Sequence, residues 1–91
     1  MEFEINFNKM KEVYGDEILE LISINMENIE KNIETLKKLK FDDICGIFER
    51  CPNIFMNFPK QFERKINRVI DELGKNYVEL IENNIEYIEN L

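Results

Sequence analysis

Basic side chains recur at every fourth position along one stretch of this 91-residue chain, at Lys60, Arg64 and Arg68, with Lys65 alongside. On an α-helix this spacing puts the first three on one face, where they could contact the phosphates of a nucleic-acid backbone. The alternative is a solvated face on which Arg68 pairs with Glu72, one turn later. A net charge of −7 opposes binding to phosphates, so we expect nucleic acid to be the less favoured partner.

Acidic side chains form a second stripe, because Glu79, Glu82, Glu86 and Glu89 advance by three, four and three residues. Such a face could dock on a basic protein or imitate a row of phosphates, or it could simply keep the chain soluble. The glutamates lie on the polar side of an amphipathic pattern. They therefore lack the burial that carboxylates need for acid–base catalysis.

Other groups with catalytic or metal-binding chemistry are scarce. The chain has no His, and its only Ser, Ser23, lies within a helical pattern. Cys45 and Cys51 are six residues apart, which matches neither a C-x-x-C redox pair nor half a zinc site. On one helix they would lie about 240° apart and could not bridge each other. We therefore expect two free thiols, no metal, no cofactor and no enzymatic activity.

The apolar residues are interleaved with charge throughout, so no stretch has the composition of a signal peptide or a membrane span. Together with the free thiols this predicts a cytoplasmic protein without a membrane partner. The abundance of Ile, Glu, Asn and Lys, 50 of the 91 residues, is typical of an AT-rich genome.

At the N-terminus, residues 2–7 alternate polar with apolar side chains at Phe3, Ile5 and Phe7, which is the period of a strand. No other segment alternates in this way. The prediction is therefore an extended arm that packs on the helices, or an edge that pairs with a second copy or another protein. Asn8 is predicted to cap a short helix that ends at Gly15.

Helical spacing dominates the rest of the chain. One apolar stripe runs through residues 16–39, as one helix or as two with a break at Asn25. Its members are Ile18, Ile22, Met26, Ile29, Ile33 and Leu36. Asp42 is then predicted to cap a short helix that Pro52 stops, and Pro59 to open a helix that Gly74 closes. Asn76 is predicted to cap one last helix.

Aromatic residues cluster around the two prolines, at Phe55, Met56, Phe58 and Phe62. Most of them should belong to the core, because the short turn between the prolines must pack on something. If Met56 and Phe58 are exposed instead, they mark a surface for a partner.

The amino-acid sequence of residues 28–55 is more specific for a known family than its helical periodicity alone. It reads N-I-E-K-N-I-E-T-L-K-K-L-K-F-D-D-I-C-G-I-F-E-R-C-P-N-I-F. It resembles the helical repeat of the mitochondrial transcription termination factor family. Residues 62–88 resemble a second copy, offset by 34. The resemblance implies repeats of two longer helices and one short one, which stack into a curved α-solenoid that binds nucleic acid.

We therefore expect residues 1–91 to form a single all-α domain, either a small bundle or a two-repeat α-solenoid of about four to six helices, with a short extended N-terminal arm. The expected function is that of a small acidic protein-interaction or regulatory module that binds another protein, or itself as a homodimer. The alternative is a nucleic-acid-associated helical-repeat protein that uses the basic stripe on the helix at 59–73. The expected partner surface comprises Phe3, Ile5, Phe7, Met56 and Phe58.

Overall fold

Helix-forming spacing of apolar side chains shapes nearly every segment that the structure describes. The structure is a computed structural model that describes the backbone of residues 5–89 and the side chains of residues 5–88. Its helices are α1 (Phe7–Tyr14), α2 (Glu17–Ile24), α3 (Met26–Lys38), α4 (Ile44–Arg50), α5 (Pro59–Leu73), α6 (Tyr77–Asn83) and the single turn α7 (Glu86–Glu89). Two 3-10 turns cover Pro52–Met56 and Gly74–Asn76. All regular structure in these residues is helical, which confirms the all-α prediction.

The core is built around α3, which packs against α5 and against the turn Pro52–Met56. Buried residues of all the larger helices meet there in one apolar cluster. At its centre the ring of Phe55 lies 5.3 Å from that of Phe48 and 5.4 Å from that of Phe62. Phe55 and Phe62 are therefore core residues, as predicted. The largest fully buried side chains are Phe48, Phe55, Phe62, Met10, Ile22, Ile29, Leu36, Ile44, Ile47, Ile66, Ile81 and Ile88.

The long apolar stripe of residues 16–39 is divided between two helices, α2 and α3, which meet at Asn25. The Asn25 side chain makes no cap hydrogen bond to α3. Its amide Nδ2 instead donates to the Leu21 carbonyl, at 2.9 Å, and so serves the end of α2. The break therefore lies at the residue where the two-helix alternative placed it, and α3 begins at Met26.

The N-terminal cap lies two residues earlier than predicted. Asn6, rather than Asn8, caps α1, because its Oδ1 accepts a hydrogen bond from the Lys9 backbone N–H at 3.1 Å. Phe7 is therefore a helical residue and not part of an extended arm. Of that predicted arm, Ile5 packs partly buried against the core. Phe3 lies outside the described residues.

The cap of α4 also differs from the prediction by one position. Asp43 Oδ1 accepts from the Gly46 N–H at 3.2 Å, so Asp43 caps the helix and Asp42 does not. The backbone N–H groups of Asp42 and Asp43 both donate to Glu82 Oε2, at 2.9 and 2.7 Å. Glu82 on α6 thus accepts from two backbone N–H groups at the start of the helix, where no intrahelical carbonyl is available.

The last predicted helix is broken at Asn84. Its backbone is extended there, and the Asn84 Oδ1 accepts from the Glu86 N–H at 3.2 Å, which starts α7. Ile81 and Ile88 are buried on either side of the break. Two short helices therefore bury the stripe that the sequence assigned to one.

Helices in the two halves of the chain follow the same order when one half is shifted by 34 residues. The shift brings α3 onto α5 and α4 onto α6, within one residue at each end. It also pairs Lys40 with Gly74, whose φ angles are +67° and +77°. Among the described residues, Lys40 is the only one other than glycine with a positive φ. The internal repeat and the family resemblance stay predictions.

Lys40→Gly is expected to raise the free energy of unfolding by about 0.5–1 kcal/mol. A residue with a Cβ in the left-handed region is strained by about 1–2 kcal/mol, and the larger entropy of an unfolded glycine offsets only part of that relief. Urea unfolding followed by circular dichroism measures the change. Lys38→Gly removes the same charge at the last residue of α3, where the backbone is helical, and is expected to destabilise. Equal destabilisation by both variants would contradict the strain argument.

Candidate functional site

Exposed apolar side chains are concentrated on α1 and α2, which pack against each other and are joined by Gly15 and Asp16. Of the seven large apolar side chains exposed in the described part of the chain, five lie on these two helices. Single exposed apolar residues are ordinary, but a group on one pair of helices is typical of a binding surface. The five are Phe7, Val13, Tyr14, Leu21 and Ile24, with exposed fractions of 47, 62, 41, 43 and 70%.

The clearest part of this surface is the solvent side of α2. Ile18 and Ile22 are buried on the core side of the helix. Glu17, Glu20, Leu21 and Ile24 all fall within an arc of about 100° on the opposite side, which we call the α2 outer face. A helix with aliphatic residues on both sides is usually covered on both sides. The α2 outer face therefore has the composition of an interface.

Contacts to α4 hold α1 in place. Met10 is buried in the core, and the Tyr14 hydroxyl donates to the carbonyls of Glu49 and Arg50, at 2.6 and 3.2 Å. The Lys9 ammonium lies 3.2 Å from the Glu49 carboxylate. These contacts fix α1 on the body of the molecule. Because α2 packs on α1 and through Ile18 and Ile22 on the core, the α2 outer face is presented by a supported helix.

Helices α1 and α2 also carry exposed charged side chains. Lys9 and Lys11 are each within ion-pair distance of a carboxylate of this chain, Glu49 and Asp16. The exposed carboxylates of Glu12, Glu17 and Glu20, by contrast, form no ion pair with any residue that the structure describes. The surface thus combines exposed apolar side chains with carboxylates that have no ion-pair partner in the part of the chain that the structure describes.

The residues of the predicted partner surface differ in exposure. Met56 and Ile5 are partly buried and pack against the core, which is the alternative that the sequence favoured for both. Phe7 on α1 and Phe58 at the start of α5 are exposed, at 47% and 67%. Sequence reasoning missed the other four exposed apolar residues of α1 and α2, which are Val13, Tyr14, Leu21 and Ile24. The available signal was that residues 17–24 hold five aliphatic side chains, more than one side of a two-turn helix can bury.

The basic stripe lies on α5 as predicted. Lys60, Arg64 and Arg68 are all exposed, while Lys65 is half-buried on a neighbouring side of the helix. The expected pairing of Arg68 with Glu72 does not form, and within the described residues no ion pair involves any of the four cations. These cations are therefore available to bind an anion, but four of them make only a weak contact with phosphates.

The acidic stripe is interrupted. Glu82 accepts two backbone N–H groups at the start of α4, and its own carbonyl accepts from the Arg50 guanidinium at 3.2 Å. Glu82 therefore connects α6 to the start of α4 by hydrogen bonds and is less available to a partner. Beside it lies a shallow open groove of about 390 Å³, lined by Asp42, Lys75, Asn76, Val78, Glu79, Glu82 and Asn83.

No protein-family model, curated protein or solved structure matches this chain.

The two cysteines, Cys45 and Cys51, are not joined in a disulfide. The Cys51 Sγ donates to the Ile47 carbonyl at 3.2 Å. Nowhere in the described part do three Cys, Asp or Glu side chains come together as a set that could hold a metal ion. None of the described helices has both the length and the apolar content needed to cross a bilayer.

Proposed function

We propose that this chain is a small acidic protein-interaction module that binds another protein through the α1–α2 pair. The observation that carries the proposal is the α2 outer face, where Leu21 and Ile24 are 43% and 70% exposed on a helix whose other side is already buried. Covering those two side chains would remove apolar surface from water, the main driving force of protein association.

A binding role is favoured over a catalytic one by the placement of the carboxylates. Every Asp and Glu side chain among the described residues is at least partly exposed. General acid–base catalysis depends on carboxylates that burial or close neighbours have tuned. Two cysteines that are not joined in a disulfide also favour a reducing compartment, so the cytoplasm is part of this proposal.

The test is a capture experiment from a lysate of the source cells, with the tagged chain as bait. The double variant Leu21→Ser/Ile24→Ser is expected to lower the recovery of the specific partner at least about tenfold, because central apolar residues carry most of an interface's energy. Phe58→Ser removes an equally exposed apolar side chain on α5 and serves as the matched control. Loss of the partner with the control and not with the double variant would refute the proposal.

A second candidate function is contact with nucleic acid through α5, as the family resemblance implies. The three exposed cations of α5, unpaired within the described residues, favour it. The net charge of −7 opposes it. We expect no binding of labelled 20-nucleotide DNA or RNA at low salt and micromolar protein, measured by fluorescence anisotropy. Binding that disappears in Lys60→Gln/Arg64→Gln/Arg68→Gln and falls steeply with salt would establish this second function instead.

A further inference from the structure

We propose that the segment that docks on the α2 outer face is a cationic amphipathic helix of the partner protein. The proposal rests on the proposed function and names the chemistry of the partner at the same surface. Two aliphatic side chains, Leu21 and Ile24, alternate with two carboxylates, Glu17 and Glu20, around the exposed side of one helix. A complementary segment must present apolar and cationic groups at similar spacing.

The charges on this surface indicate which charge the partner segment must carry. Lys9 and Lys11 already lie beside carboxylates of their own chain, at 3.2 and 3.4 Å. Glu12, Glu17 and Glu20 have no such partner among the described residues. A partner that covered the aliphatics without supplying cations would desolvate these carboxylates uncompensated, which is costly. Lysine or arginine at the rim would pair with them and would also speed association with a chain of charge −7.

The shape of the surface favours a helix. The α2 outer face is the convex side of an eight-residue helix, about 12 Å long. Two turns of a second helix cover that length and place apolar side chains at positions i, i+3, i+4 and i+7 against Leu21 and Ile24. A second copy of this chain is a poorer occupant, because it would bring Glu17 and Glu20 against the same residues.

The probe is a 15-residue amphipathic helical peptide with Leu on one side and Lys on the other, compared with a peptide in which every Lys is Glu. Binding is measured by fluorescence anisotropy at low salt. The Lys peptide is expected to bind with a Kd on the order of 10–100 μM and the Glu peptide at least tenfold more weakly. Leu21→Ser/Ile24→Ser is expected to weaken the Lys peptide at least fivefold.

The decisive variant reverses the charge of the face. Glu17→Lys/Glu20→Lys is expected to prefer the Glu peptide, whereas Asp71→Lys/Glu72→Lys, with the same change of net charge at the end of α5, is expected to keep the preference for the Lys peptide. Circular dichroism checks that each variant keeps its helix content. Reversal by both variants, or by neither, would overturn the inference, because peptide binding would then report total charge or another surface.

Failure of this inference can be told apart from failure of the proposed function. If Leu21→Ser/Ile24→Ser abolishes capture of the natural partner while neither peptide distinguishes the charge variants, the interaction module stands and the cationic helix does not. Light scattering of the chain alone tests whether a second copy of the chain occupies the α2 outer face. A dimer that Leu21→Ser/Ile24→Ser dissociates would show that a second copy covers the face and would overturn the inference.

Discussion

Phe55→Ala is expected to lower the free energy of unfolding by about 3–5 kcal/mol, which is typical of truncating a fully buried aromatic side chain. Phe55 is 0% exposed and stands between Phe48 and Phe62, so its removal leaves a cavity and breaks both ring contacts. A domain of this size is stabilised by about 5–10 kcal/mol in total. Urea unfolding followed by circular dichroism at 222 nm should therefore have its midpoint at a much lower urea concentration than in the parent protein.

Phe58→Ala is the matched control, because the same substitution three residues later removes a side chain that is 67% exposed. It is expected to cost less than about 1 kcal/mol. If the two variants unfolded at the same urea concentration, the ring of Phe55 would not be the centre of the core. Because neither residue lies on α1 or α2, both variants test the stability of the core and leave the residues of the α2 outer face unchanged.

The helical periodicity of the sequence was enough to predict which side chains share a core. Ile22, Ile29 and Leu36 are spaced by seven residues, and all three are fully buried. Burial of this kind follows from the 3.6-residue turn alone, so it can be read from a local pattern. The break at Asn25 does not follow in the same way, because the stripe of apolar residues continues through it.

Helix ends were predicted less well than the core, because more than one residue near an end has the chemistry of a cap. Asp42 and Asp43 are equally good caps by type, and the structure uses Asp43. Glu82, about 40 residues away, accepts from the backbone N–H groups of both, a tertiary contact that no local pattern contains. Asn84 likewise interrupts a stripe whose spacing is unbroken. A local pattern therefore gives the end of a helix only to within about one or two residues.

The candidate surface was only partly predictable for a related reason. The spacing of Lys60, Arg64 and Arg68 was sufficient to place them on one exposed side of α5. Leu21 and Ile24 have the residue type of core positions, and only the absence of a covering helix among the described residues distinguishes them from Ile18 and Ile22, which are buried. Periodicity shows that aliphatic residues are present, but the packing decides which of them remain exposed.

Asn32→Asp is expected to destabilise the chain by about 3–5 kcal/mol, the range found when a buried charge is left without compensation. Asn32 is 0% exposed, and its Nδ2 donates to the carbonyls of Phe55 and Asn57, at 2.8 and 2.9 Å. It thereby fastens α3 to the segment that leads into α5. An aspartate would remove both donors and turn a carboxylate towards two carbonyl oxygens.

Asn32→Leu separates the hydrogen bonds from the charge. It leaves the two carbonyls unpaired, at about 1–3 kcal/mol. It also removes the Asn32 Oδ1, a buried acceptor that receives no hydrogen bond from the described residues. Asn53→Asp, the same chemical change at an exposed position, is expected to stay within about 0.5 kcal/mol. Urea unfolding should therefore rank the losses as Asp, then Leu, then the control. A leucine variant as stable as the parent would show that the amide is not a structural tie, because shape alone would then hold α3 in place.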